Sequence, residues 1–153
     1  MKVYCYSDGA SQGSPGPAGI GGVIYDEDYE VLATLSEPIG IADSALAEWR
    51  ALVAVLKLAR KHGATDVELN LDELGIVDVL CDAATIRAPH VVPYYEEARE
   101  LMAQFASCDV QHVPRTRNTV ADDLAGQAAG SNQNYGRIKR NCRRTLARRR
   151  NRS

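Results

Sequence analysis

The feature that most limits the fold is a switch of hydrophobic period near residue 44. Before it the chain alternates: Val3, Cys5 and Ser7 fall on one face of residues 2–8, and Tyr4, Tyr6 and Asp8 on the other. This is the period-2 signature of a strand. Ile20–Tyr25 and Glu30–Ser36 read as two further strands, and the acidic Asp26–Glu27–Asp28 between them suits a hairpin turn. From 44 to 62, Ala45, Trp49, Leu52, Val53, Leu56 and Ala59 recur at three- and four-residue steps, with Asp43 or Ser44 as N-cap and Gly63 as stop. That is the apolar stripe of a helix. Beyond it come a strand over Val67, Leu69 and Leu71, a helix from about Glu73 to Ala84, and a break at Ala88–Pro89. A helix over Tyr94–Phe105, a strand at Val110–Val113 and a helix capped by Asn118 and running through Ala129 complete the order. The order predicts an α/β fold with a five-stranded mixed sheet. Three antiparallel strands are followed by parallel ones through right-handed crossovers, with helices flanking both faces.

These elements account for one domain over 1–130, leaving 131–153 as a basic tail. No apolar run approaches the roughly 20 residues of a membrane span, and no signal-peptide pattern follows Met1. Cys5, Cys81, Cys108 and Cys142 lie far apart, without a CxxC or Cys/His pair at metal-ligand spacing. They read as reduced thiols, and the chain as cytoplasmic, without a membrane partner and monomeric. The net charge of −2 conceals a division. Residues 137–153 carry Arg137, Lys139, Arg140, Arg143, Arg144, Arg148, Arg149, Arg150 and Arg152 and no acid. The remaining nine basic residues face all 20 acids, a net of −11 for the body. An acidic body with a cationic end points to a polyanion partner.

Four carboxylates fall where a surface charge has no obvious reason to be. Asp8 ends the first strand; Glu48 lies one turn into the long helix, beside its buried stripe. Asp72 ends the fourth strand, and Asp122 or Asp123 stands in the first turns of the last helix. Singly, each has an ordinary reading as a turn former, a solvated helix residue or a complement to the helix dipole. Together, at the strand ends where α/β sheets gather ligands, they form an oxygen-only donor set suited to Mg²⁺ or Mn²⁺. Two such ions about 4 Å apart can act on a phosphodiester. The segment DGASQGSPGPAGIGG that follows Asp8 lacks the Lys–Ser/Thr end of a P-loop, and no helix follows it.

Four stretches carry a family resemblance. YSDGASQGSPGPAGIGGVIYD, AEWRAL, VELNLDELGIVDVL and HVPRTRNTVADDLAGQA resemble, in order, the acid-bearing motifs of type 1 ribonuclease H. The resemblance covers about residues 1–130 and implies a ribonuclease H-like fold. It also implies endoribonuclease activity on the RNA strand of RNA–DNA hybrids, leaving 5′-phosphate and 3′-OH ends. It makes Asp8, Glu48, Asp72 and Asp122 the ligands of two Mg²⁺ ions, with Mn²⁺ able to substitute. It sets Glu48 near the 2′-OH that marks RNA, and Gly9, Ala10, Ser11, Gly13, Ser14 and Asn118 against substrate.

Departures are as informative. Between the second helix and the fifth strand, where many relatives carry a basic handle, only Arg87 and Arg99 are firmly positive, so the chain resembles the handle-less members. His112 falls within the strand and reads as structural, which leaves Arg115, ahead of Arg117, for the assisting role a loop His plays in relatives. The family's Gly–Asn–Pro has Ser14, its Thr–Asn–Asn is replaced by Asp43, Ser44 and Ala45, and the Ser or Thr usual after the third acid is Glu73. These changes remove groups that grip the hybrid and give the Arg-rich tail a role as substitute handle, reaching hybrid, other RNA or ribonucleoprotein. Two other readings follow: a nucleic-acid-binding module on the same scaffold with weak or no catalysis, or a nuclease acting on double-stranded RNA.

Overall fold

In a computed structural model, residues 1–130 are described; the basic tail expected over 131–153 lies outside the described residues. The elements are β1 (Lys2–Ser11), β2 (Gly16–Tyr25), β3 (Val31–Ala42), α1 (Ser44–Lys61), β4 (Asp66–Leu71), α2 (Leu74–Leu80), α3 (Val92–Ala103), β5 (Ser107–His112) and α4 (Thr119–Ala129). Short 3₁₀ turns, Pro89–Val91 and Arg115–Arg117, precede α3 and α4. The sheet order is β3-β2-β1-β4-β5. β1–β2 and β2–β3 pair antiparallel, β1–β4 and β4–β5 parallel, as the element order predicts. Among the described residues, no helix is long and apolar enough to cross a membrane.

Two adjacent glycines show how the layers stack. A Cβ on Gly21 would lie 2.3 Å from the carbonyl oxygen of Ala121 in α4, and one on Gly22 would meet Val55 of α1 at 3.1 Å. Successive strand residues point to opposite faces, so α1 and α4 cover opposite sides of the sheet. On the α1 side, Val3, Cys5, Ile24, Val67 and Leu69 pack with Leu52, Val55 and Leu56 in the main core, closed by residues of α2 and α3. On the other side, Val23 packs with Val120 and Leu124 of α4, bordered by Tyr6 and Tyr25.

Several boundaries differ from expectation. β1 does not stop on Asp8 but runs to Ser11; β2 begins at Gly16 and β3 ends at Ala42. Most of the Gly/Pro stretch is therefore paired strand, for example Gly9↔Ile20 and Ala10↔Gly19, and the true turn is residues 12–15. Glycine is a weak strand former in the abstract, but here the helices lie so close that a larger residue would be displaced, and tertiary contact overrides propensity. α2 ends at Leu80 rather than Ala84, because Asp82 takes a left-handed conformation (φ 60°) and the Ala83 N–H bonds back to Asp78 O at 2.7 Å. α3 starts at Val92, with a proline in its first turn. β5 starts at Ser107, paired with Asp66. Of the two candidate N-caps of α1, Asp43 serves, its Oδ1 accepting the Leu46 N–H at 2.8 Å.

Gly21→Ala should destabilise the chain by about 1–3 kcal/mol through overpacking against α4. A Cβ added to Gly126, inside α4, would meet nothing within 4 Å, so Gly126→Ala should stabilise by about 0.5–1 kcal/mol. Urea unfolding of the two variants beside the parent checks both signs.

Candidate active site

Parallel pairing of β1 with β4, in register at Cys5↔Leu69 and Tyr6↔Asn70, carries Asp8 and Asp72 to the same end of the sheet. Glu48 reaches them because α1 touches β1 backbone to backbone. A Cβ on Gly9 would sit 2.3 Å from the carbonyl carbon of Ala47 and 2.4 Å from the Glu48 nitrogen. Only glycine permits that approach. Asp8, Glu48 and Asp72 each present an oxygen, all within 4.8 Å of one another. Asp8 is 3% exposed; Glu48 and Asp72 are half-buried. Asp122, exposed on α4, is a hydrogen-bond partner of Asp8 and stands outside that triad. Of the two acids that spacing leaves open in α4, it is thus Asp122 that turns to the cluster.

The electrostatics follow from burial and crowding. The Glu48 carboxyl is pushed up to about 11, first by burial, then by its hydrogen bond to Asp8 and the charges of Asp8 and Asp72, with the Gly9 N–H opposing. Asp8 rises to about 7, again first through burial; the bond from Glu48 opposes the rise, while Asp122 and Asp72 add to it. Glu48 therefore holds the proton of the pair and donates to Asp8. Like-charged, buried carboxyls without a cation retain protons in this way.

The Gly9 N–H bonds to Asp8 Oδ1 at 3.0 Å, the Gln12 N–H to Pro17 O and the Gly13 N–H to Ser11 O, so these donors are engaged within the chain. Ser11 Oγ donates to Ala42 O at 2.6 Å, tying the ends of β1 and β3. Ala10 is half-buried in its pairing with Gly19. Ser14 Oγ accepts the Ser44 N–H at 3.0 Å, joining the turn to the start of α1. Arg115 is exposed on the turn before α4. Arg117 instead lines a cavity of about 170 Å³ with Tyr6, Tyr25 and Tyr29. Asn118 is 1% exposed and turns inward, to Asp72 and Ser7 O. His112 contacts the Asp72 carbonyl at 3.2 Å. Glu73 caps α2, accepting the Gly75 N–H.

The handle region has few cations on offer. Arg99 is held by Asp82 at 2.6 Å, while Arg87 is exposed on the rim of a groove of about 470 Å³ between α1, α2 and residues 85–91. Spacing carried no signal for one pair at this rim, Asp43 Oδ2 with His90 Nε2 at 2.7 Å. It binds the N-cap of α1 to the turn before α3. The Leu46 N–H, ahead of His90, holds the Asp43 carboxyl below its ordinary value.

The chain is similar to proteins of known structure. The profile of the family described as "Reverse transcriptase-like" matches residues 6–128, from β1 to α4. The N-terminal RNase H domain of Rv2228c from Mycobacterium tuberculosis superposes with a TM-score of 0.81 at 38% identity, covering 84% of this chain and 99% of that one. The chain belongs to the ribonuclease H family. RNase H1 of Halobacterium salinarum matches equally well, with a TM-score of 0.81, 38% identity, and 84% and 97% of the two chains covered. A third family member, LC11-RNase H1, was solved in complex with RNA/DNA hybrid (30% identity, TM-score 0.78, 83% and 96% coverage). The chain spans 35% of the length of the bifunctional protein Rv2228c, which is 40% identical over 129 residues, and 64% of H. salinarum ribonuclease HI.

The raised carboxyls make stability depend on pH. Unfolded Asp8 loses its proton near 3.8 and folded Asp8 near 7, so the folded state binds more protons between those values. Its contribution is present below about pH 4 and lost as pH rises through about 7, and Glu48 extends the loss to higher pH. The metal-free chain should melt at progressively lower temperature from about pH 5 to about pH 8, and Asp8→Asn should flatten that slope and raise the melting temperature. Thermal unfolding in chelator across that range tests this; parallel slopes for parent and variant would contradict it.

Proposed function

We propose that the chain is a ribonuclease H that hydrolyses the RNA strand of RNA–DNA hybrids with two Mg²⁺ ions, Mn²⁺ substituting. The observation that carries this reading is the oxygen-only cluster of Asp8, Glu48 and Asp72 within 4.8 Å, on a fold shared with a relative solved on RNA/DNA hybrid. The donor set fits: hard oxygens without His or Cys suit Mg²⁺ and Mn²⁺, and carboxyls that hold protons for want of a cation are primed to exchange them for one. Bound divalent ions supply Lewis-acid stabilisation of the phosphate and of an attacking water.

The chain's own residues do the rest. Asp8, Glu48, Asp72 and Asp122 would hold the ions, and Glu48, one turn into α1, faces the RNA strand's 2′-OH. Water adds to phosphorus as the P–O3′ bond breaks, and O3′ takes a proton, leaving 5′-phosphate and 3′-OH ends. Arg115, exposed beside α4, supplies positive charge at the departing product. Gly9 to Ser14 form a low rim over which the sugar-phosphate backbone can approach. All four acids come from one chain, which fits action as a monomer.

Incubating labelled RNA–DNA hybrid, RNA duplex and single-stranded RNA with Mg²⁺ or Mn²⁺ tests the reading, with Asp72→Asn as control. Cleavage of the hybrid alone, abolished by Asp72→Asn, is expected. Tight binding without metal-dependent cleavage would support the binding-module reading instead, and cleavage of RNA duplex would reassign the substrate.

The Arg-rich residues 137–153 act, in this proposal, as the missing handle. α4 ends against Gly19, the cross-strand partner of Ala10, so the chain leaves the described body beside the Gly/Pro turn. Neutralising phosphates gives sequence-independent affinity that falls steeply with salt. Deleting 137–153 should raise KM about tenfold or more at low salt while leaving kcat largely unchanged. Unchanged hybrid affinity at low salt would refute the role.

A further inference from the structure

Asn118 occupies the N-cap position of α4, where an Asn side chain ordinarily accepts a backbone N–H from the first helical turn. Here it makes no cap bond. Its amide nitrogen donates in two other directions, to Ser7 O at 2.9 Å and to Asp72 Oδ2 at 2.9 Å. The side chain is 1% exposed, and its Oδ1 is buried without a hydrogen-bond partner among the described residues. A helix start that forgoes its cap and leaves a buried oxygen unpaired is held there by some other demand.

The surroundings identify that demand. Ser7 immediately precedes Asp8 on β1, Asp72 follows β4, and the Asn118 carbonyl accepts the Asp122 N–H at 3.0 Å. One residue thus touches three of the acid-bearing elements. We propose that Asn118 is a positioning residue, fixing the Asp72 carboxylate against the end of β1 in the arrangement that receives the metal. The inference rests on the metal-binding reading above. A neutral amide suits the task better than Lys or Arg: it fixes one carboxylate oxygen by a hydrogen bond while leaving the negative charge of the cluster to attract the cation. At 1% exposure the side chain acts through Asp72 rather than by touching substrate.

The test is calorimetric titration of the full chain with Mn²⁺ in the absence of nucleic acid, for the parent, Asn118→Ala, Asp72→Ala and the double variant. Asn118→Ala should weaken Mn²⁺ binding about 10–100-fold, and this loss should vanish in the Asp72→Ala background, since the two residues form one unit. KM for hybrid at saturating metal should stay within about threefold, because nothing that touches substrate is removed. Should Asn118→Ala fail to fold, Asn118→Ser takes its place in the same cycle. Affinity within about twofold of the parent, or an equal loss with and without Asp72, overturns the inference. A parent that binds no Mn²⁺ overturns the metal reading and this inference with it.

Discussion

The contact between β1 and the first turn of α1 at Gly9 governs the rest of the site. A strand and a helix normally meet through side chains, which hold their backbones well apart. Here the backbones touch directly, and Glu48 consequently projects from a helix toward Asp8 on β1 and Asp72 after β4. The same closeness recurs on the opposite face, where Gly21 admits α4 and so brings Asp122 in from the other side. The glycine-rich character of the first two strands is thus a requirement of helix approach from both faces. The polar ties of Ser11 to Ala42 and Ser14 to Ser44 then hold the turn against that frame.

Placing four acids on elements drawn so tightly together costs stability, and the fold offsets the cost locally. Glu48 keeps a proton and shares it with Asp8, the Gly9 N–H and the Asn118 amide donate into the cluster, and Asp122 stays at the solvent edge. The result is a site held under electrostatic load in the metal-free protein. A cation held there would relieve repulsion that the chain otherwise absorbs by protonation, and so would couple binding to folding. Optimising metal-free stability and optimising the site are opposed aims in such an arrangement.

Much of this was legible in the sequence because periodicity and element order carry the information. The stripe from Ala45 to Ala59 marks α1, and the element order leads to the observed sheet. The resemblance selects Asp8, Glu48, Asp72 and Asp122. What escaped depends on contacts between distant segments. β1 continues through Ser11 because pairing with β2 and the approach of α1 outweigh glycine's poor strand propensity, which no local pattern records. α2 stops at Leu80 on the left-handed Asp82, a conformation that Asp only sometimes adopts. Asn118 matches an N-cap by sequence, and only the neighbouring β1 and β4 show that its side chain is engaged elsewhere. The Asp43–His90 pair joins residues 47 positions apart and had no signal at all.

The strand order also bears on how the protein opens. β3 and β5 form the two edges, β3 carrying Pro38 and irregular pairing near Gly19, while Asp8 lies on β1 and Asp72 directly follows β4, the two interior strands on that side of the sheet. Edge strands and helix ends exchange their amide hydrogens through small local openings, whereas central strands exchange chiefly through global unfolding. The strand-borne half of the acid cluster therefore belongs to the last part of the molecule to open, as does Glu48 on α1, whose Leu52, Val55 and Leu56 are fully buried against those strands, while Asp122 lies on the exposed face of α4.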